Sequence, residues 1–235
     1  MPLAGRAFLA LWNDIAAARE DEYDAWHTRE HVPERVAVRG FHGARRYVAR
    51  ARREHRYFTL YDIASLDVLD AAEYRDLVDR PTPWSASMRA DFANFLRVAC
   101  EVESSDGFGL GAAIATLCFD TPVAAATLRT ALAEALAAPR VNAVHLGRVT
   151  NRGPSSPLPA SASDATVRAF DRIALVEAVD RRAAFAALDA LKAALGLCAL
   201  PHDFGGDVYD LAFAFPSHDG GEPSRHRRHG AAGAG

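Results

Sequence analysis

Short apolar runs and helix-period segments alternate along the chain in one order, and that order occurs twice. Phe8 to Asp14 (FLALWND) is a strand-like apolar run. Arg19 to His31 reads as a helix, which Pro33 kinks or restarts, because the residue before a proline disfavours the α region. Gly40 closes that segment, as a glycine just past a helix does. Phe41 to Ala49 and Tyr57 to Ile63 read as two strands joined by a charged tip, RARREHR. Leu66 to Leu77 is helical until Pro81 and Pro83, Ser85 to Phe95 is a second helical piece, and Leu96 to Glu103 is a strand.

The pattern then repeats. Leu110 to Phe119 reads as a strand, and Pro122 to Ala138 as an Ala/Leu-rich helix with proline in its first turn. Val141 to Val149 and Val167 to Val179 contain the two middle strands. Arg181 to Leu195 is a helix ended by Gly196, and Val208 to Phe215 is the last strand. Each half is β-α-β-β-α-β, the split βαβ of ferredoxin-like folds. The expected fold class is α+β, with two tandem ferredoxin-like units: residues 1–105 carrying the candidate site, and residues 106–216 as a degenerate scaffold. Ser104 to Gly109 joins the halves, Gly153 to Asp164 is a Pro/Ser loop, and residues 217–235 read as a disordered low-complexity tail. One such sheet leaves a face bare. The second half can cover it, so the two sheets are expected to pack face to face within one molecule.

Composition sets broad bounds. The chain has 235 residues, half of them hydrophobic and 24% charged, with a formal net charge of −3. That length supports a core without disulfides or structural metal. Cys100, Cys118 and Cys198 are odd in number, far apart and in apolar runs, which reads as buried free thiols in a reducing compartment. No run approaches the roughly 18 apolar residues of a membrane span, and the N-terminus shows no cleavable-leader pattern. A cytoplasmic location is expected, with no membrane or nucleic-acid partner. The arginines at 45, 46, 50, 52, 53 and 56 read mostly as a solvated hairpin tip, with Glu54 among them.

Candidate chemistry gathers in the first helix. Tyr23, His27 and His31 are spaced by four and share one face, with Trp26 and Glu30 beside them. Two imidazoles and a carboxylate offer proton transfer near neutral pH or metal ligation. His27 to His31 (HTREH) also matches the H-x-x-E-H zinc pattern. A third ligand is not evident, so neither a metal site nor a cofactor is assigned. On the second strand Arg45 and Tyr47 share a face, and on the third Tyr57, Thr59 and Tyr61 share one. Whichever face turns toward the helices enters the cleft. The candidate catalytic residues are therefore His31, His27, Tyr47 and Arg45. The candidate ligand-binding residues are Tyr23, Trp26, Tyr61, Trp84 and Asn13.

The segment Trp26 to Val48, with His31-Val32-Pro33 and Gly40-Phe41, resembles the helix-to-second-strand region of the dimeric α/β-barrel superfamily, nearest its EthD-like members. Tyr57 to Asp62 and Pro81-Thr82-Pro83-Trp84 extend the likeness over most of the first half; the second half matches only in element order. The resemblance implies that the two units form an intrachain pseudo-dimeric α/β barrel, as a monomer or a homodimer. It also implies small-molecule chemistry in the cleft between sheet and helices. Members include cofactor-free monooxygenases, cyclases, isomerases and haem enzymes. Two function classes follow: a cofactor-free enzyme acting on an aromatic or polyketide-like molecule, or a non-catalytic binding or structural barrel, with haem or metal binding as a further alternative.

Overall fold

The structure, a computed structural model, describes residues 2–49, 51, 54–120, 122–150, 170–197 and 206–216. Cys198, the whole Pro/Ser loop, Arg50, Arg52 and Arg53 of the hairpin tip, and the C-terminal tail lie outside them.

The first unit runs β1 (Ala7–Ile15), α1 (Glu20–Trp26), a π-helical turn (His27–His31), α2 (Val32–Val36), β2 (Phe41–Val48), β3 (Tyr57–Ile63), α3 (Ala72–Asp79), α4 (Pro83–Arg89) and β4 (Phe92–Gly107). The second runs β5 (Ala113–Phe119), α5 (Ala125–Ala137), β6 (Val141–Thr150), β7 (Arg172–Ala178), α6 (Arg181–Leu195) and β8 (Asp207–Pro216). Gly40 (φ +97°) turns the chain into β2, and Gly196, in the left-handed region at φ +69°, ends α6. Two boundaries differ from the sequence reading. Phe92 to Phe95 begins β4 instead of ending a helix. The segment read as a joint between halves is strand as far as Gly107, because β4 continues past β1 to pair with β6. Position 105, where the sequence divides the units, therefore falls inside one strand.

The eight strands close into a barrel in the order β1-β3-β2-β8-β5-β7-β6-β4, with every neighbouring pair antiparallel. Each unit contributes the same order of its own strands, β4-β1-β3-β2 and β8-β5-β7-β6. The sheets do not stack as two layers. They meet edge to edge, β2 on β8 and β4 on β6, and enclose a common interior. Closure leaves no open edge.

Closure also explains the unbroken apolar runs. β1 is buried on both faces: Phe8, Ala10 and Trp12 point into the barrel, while Leu9, Leu11 and Asn13 point outward beneath the helices. The interior is filled by Phe8, Trp12, Tyr47, Phe58, Leu96, Ile114, Leu175 and Tyr209, among others. Under α5 and α6 the outer face of the second unit is packed with Ala and Leu, including Leu128, Leu132, Leu188 and Leu191. Each such buried side chain contributes about 1.5–3 kcal/mol relative to exposure. Cys100 and Cys118 are buried free thiols, and burial pushes both up from their ordinary value. No helix among the described residues is long and apolar enough to cross a membrane.

Candidate functional site

The first unit holds a cleft of about 80 Å3 between its helices and the outer face of β1, β3 and β4. That is several times the space of about 10–15 Å3 that one water requires.

Its roof is the first helix. Tyr23, His27, His31 and Arg35, each four residues from the last, all line the cavity. The register through Pro33 is kept by the π-helical turn. Proline has no N–H to donate, and its ring crowds the carbonyl four residues back. Here the Val32 N–H reaches past that position to the carbonyl of His27. The wider turn lets the helix pass the proline instead of stopping there. Trp26 is fixed from behind. Its Nε1–H donates to Ser85 Oγ (3.0 Å), and Ser85 Oγ and Thr82 Oγ1 both donate to Glu30 (3.1 and 2.6 Å). Glu30 is therefore committed to α4, so the H-x-x-E-H string does not bring its carboxylate to the two imidazoles. The His27 and His31 rings lie 5.3 Å apart, and Trp26 packs 4.4 Å from His31.

The floor comes from alternation on the strands. Thr59 and Tyr61 face the cleft from β3, and Arg97 faces it from β4. Asn13 sits where the pairing of β1 with β4 slips between Trp12 and Asp14, a bulge that aims it into the cavity. Asp14 anchors the same strand end by accepting from His55 N, Arg56 N (both 2.8 Å) and Asn94 Nδ2 (2.7 Å). Apart from Arg89, the remaining wall is apolar or aromatic, including Phe41, Tyr74 and Phe92.

Several of the cleft's polar atoms have no protein partner. Asn13 Oδ1 accepts from the Tyr23 hydroxyl (3.2 Å), and His27 Nε2 lies 3.4 Å from Thr59 Oγ1. Among the described residues, Asn13 Nδ2, His27 Nδ1, His31 Nδ1, Arg35 Nη1, Tyr61 Oη and Arg97 Nη2 are buried without a hydrogen bond. Buried polar groups are nearly always paired, with protein or with water, so six orphans around one cavity make it the candidate site. Both imidazoles are held well below their ordinary range. Burial is the main cause, followed by Arg46 for His27 and by Arg35, His27 and Arg89 for His31. Burial likewise pushes the Tyr23 and Tyr61 phenols up. The neutral rings are thus proton acceptors. No Asp or Glu lines the cleft, and among the described residues no cluster of three His, Cys, Asp or Glu exists to hold a metal. Two imidazoles ringed by guanidinium groups repel a cation.

The expected residues divide by sheet face. His27, His31, Tyr23, Trp26, Tyr61 and Asn13 converge on the cleft. Arg45 and Tyr47 do not. β2 turns them into the barrel, where Tyr47 joins the core and Arg45 pairs with Glu177 of β7. Their place on the cleft side is taken by Arg46, 4% exposed, whose guanidinium lies over the Tyr23 ring and contacts Asp24. Trp84 of α4 does not line the cleft; it is half-buried against the cluster of Tyr23, Trp26 and Met88 and donates to Glu22 Oε1 at 3.1 Å, and Trp12 is in the barrel core. Sequence reasoning missed Arg35, Arg89 and Arg97. The four-residue spacing that selected His27 and His31 reaches Arg35 once Pro33 is not taken as a helix end. The described members of the basic cluster form no surface patch: Arg45 and Arg46 are internal, and Arg56 pairs with Glu20.

Solved structures with the same arrangement cover nearly the whole chain. An anthrone oxidase-like protein superposes with a TM-score of 0.61 at 12% identity, covering 94% of this chain and 97% of that one. A putative monooxygenase from Fusobacterium nucleatum subsp. nucleatum gives 0.56 at 13% identity, covering 91% and 95%. A putative chlorite dismutase gives 0.54 at 12% identity, covering 89% and 96%. The chain shares the overall fold of these structures, a closed α/β barrel. In this chain both halves of the barrel belong to one polypeptide, as the repeated element order implies. No family model and no curated protein matches the sequence.

Proposed function

We propose that the chain is a cofactor-free enzyme that removes a proton from a small aromatic, polyketide-like substrate bound in the first cleft, with the second unit as scaffold. The observation that carries this reading is the pair of neutral imidazoles, each with Nδ1 unpartnered, facing a cavity floored by hydrogen-bond donors. His31 is the base and His27 supports it. A C–H or O–H proton of the substrate passes to the imidazole. The electron pair moves onto the conjugated oxygen, which becomes an enolate or phenolate held by Tyr61 Oη–H and Asn13 Nδ2–H. Donors aimed at an oxygen as charge develops there lower the barrier to this step. Aromatic walls formed by Trp26 and Phe92 favour a flat ring system. Cyclisation, isomerisation and reaction of the enolate with dioxygen all begin with this proton removal. The names of the solved structures, anthrone oxidase-like and monooxygenase, favour the last.

Anthrone tests the reading directly. The protein should accelerate exchange of the anthrone methylene protons with deuterium from solvent. His31→Ala should abolish that acceleration and His27→Ala should reduce it, with melting temperatures nearly intact. Binding without exchange would make the chain a non-catalytic binding barrel and overturn the enzymatic reading.

A further inference from the structure

We infer that the ligand of this cleft enters already as an anion, an aromatic carboxylate whose carboxylate group is clamped between Arg35 of the roof and Arg97 of the floor. This rests on the first cleft being the binding site and specifies its substrate class. Three arginines line the cavity, Arg35, Arg89 and Arg97, and no aspartate or glutamate does. None of the three takes part in an ion pair among the described residues, although the same structure pairs Arg45, Arg46, Arg56 and Arg181 with carboxylates. Arg89 is occupied, since its Nη1 and Nη2 donate to the carbonyls of Val78 (2.8 Å) and Leu77 (3.4 Å). Arg35 and Arg97 are not fully occupied. Arg35 is 7% exposed, its guanidinium lies over the Tyr74 ring at 5.5 Å, and its Nη1 is orphaned. Arg97 Nη2 is orphaned too.

Arg35 is a buried charge with no carboxylate partner, which is costly, and the half-buried Arg97 adds a second unpartnered nitrogen. A transient enolate needs one guanidinium at most. Two guanidinium groups, each with one unpartnered nitrogen, on the roof and the floor call for a group with two oxygens and a full charge. Arginine's planar fork suits a carboxylate, and the flat aromatic walls suit an aryl group attached to it. The crowding of positive charge has a second sign: burial and the neighbouring Arg35 together hold Arg89 below its ordinary value.

The test is calorimetric titration of the full chain with 1-hydroxy-2-naphthoate and with its neutral carboxamide, which share ring and hydroxyl and differ in charge. The carboxylate should bind at least about tenfold more tightly, a difference of about 1.4 kcal/mol. Arg97→Gln and Arg35→Gln should each remove most of that preference, and Arg97→Lys should restore part of it. Arg129→Gln, an exposed change on α5, should leave the preference unchanged. Circular dichroism melts of each variant separate loss of binding from loss of fold. Equal affinity for acid and amide would overturn the anionic substrate while leaving an aromatic cleft. Binding of neither probe would overturn both readings, and a preference retained in Arg97→Gln and Arg35→Gln would overturn the clamp.

Discussion

Arg45 of β2 and Glu177 of β7 form an ion pair inside the barrel, joining the first unit to the second. Glu177 is wholly buried and fully used. Its Oε1 also meets His145 Nε2 at 3.0 Å, its Oε2 accepts from Gly111 N at 2.8 Å, and His145 Nδ1 lies 2.8 Å from Ser105 Oγ. Burial alone would raise this carboxyl, but His145 and Arg45 outweigh it and hold it below its usual range.

This network predicts a stability phenotype without a functional one. Glu177→Gln leaves Arg45 buried and uncompensated, which costs about 3–5 kcal/mol. Urea unfolding should show that loss, while the folded variant keeps its affinity for a ligand of the first cleft. His145 is likewise wholly buried, between Glu177 and Ser105. Its place in this network makes His145→Ala destabilising as well, through the partners it leaves unmet. An unchanged urea midpoint for Glu177→Gln would show that the pair is not what joins the halves.

The division between what the sequence shows and what it hides follows strand faces. Element order is legible because period-two and period-four patterns are local. The roof of the site is legible for the same reason, since spacing on one helix places Tyr23, His27 and His31 together. Which face of a strand meets the helices depends on barrel closure, a long-range fact. Arg45 and Tyr47 are one residue out of step with Arg46, and a single step exchanges interior for cleft. Glu30 shows the other limit. It lies next to His31 in sequence, yet hydroxyls from α4, more than fifty residues away, claim its carboxylate.

Gly147 of β6 is required by the second strand seam. It pairs with Val102 of β4 and faces the barrel interior, where a Cβ would overlap the ring of Phe8 and come within 2.8 Å of Cys100 Cβ. Phe8 is fully buried and has no room to retreat. Gly147→Ala should therefore destabilise by about 1–3 kcal/mol, as overpacking does, and the double variant Phe8→Leu/Gly147→Ala should recover part of that loss. Thermal melts of the single and double variants check it. Strict additivity of the two changes would refute the contact.

The neutral imidazoles give a pH dependence with a defined sign. His27 and His31 have folded values well below 6.5, chiefly through burial. The unfolded chain therefore takes up protons that the folded one refuses. Their contribution is intact above about pH 6.5 and is lost progressively as pH falls from there toward the lowered folded values. The melting temperature of the protein should fall between pH 7 and pH 5 more steeply than that of the His27→Gln/His31→Gln variant. Equal slopes would mean that these rings are free to protonate in the folded state. The acid limb of any activity should likewise lie below the usual histidine range, because the base stays unprotonated there.

The π-helical turn sets the relation between roof and floor. Trp26 before it and Val32 after it are both buried, so the packing fixes the register on each side and the turn between them carries one residue more than an α-helix would. Arg29 is the exposed residue of that turn. Deleting Arg29 removes the surplus and tightens the turn to α-helical spacing, with both buried flanks kept. The fold should survive this at a cost of about 3 kcal/mol, because the tightened turn brings the Pro33 ring against the carbonyl four residues back. The functional face should not: His27 and His31 would become three residues apart, and the rings now 5.3 Å from each other would be re-aimed relative to Thr59 and Tyr61. The expected outcome is a folded variant whose melting temperature is below the parent's and whose proton-exchange activity and ligand affinity are lost. Thermal melts and the anthrone exchange assay on the same preparation decide it. A deletion variant that keeps full activity would show that the π turn is only an accommodation to Pro33 and has no part in placing the two histidines.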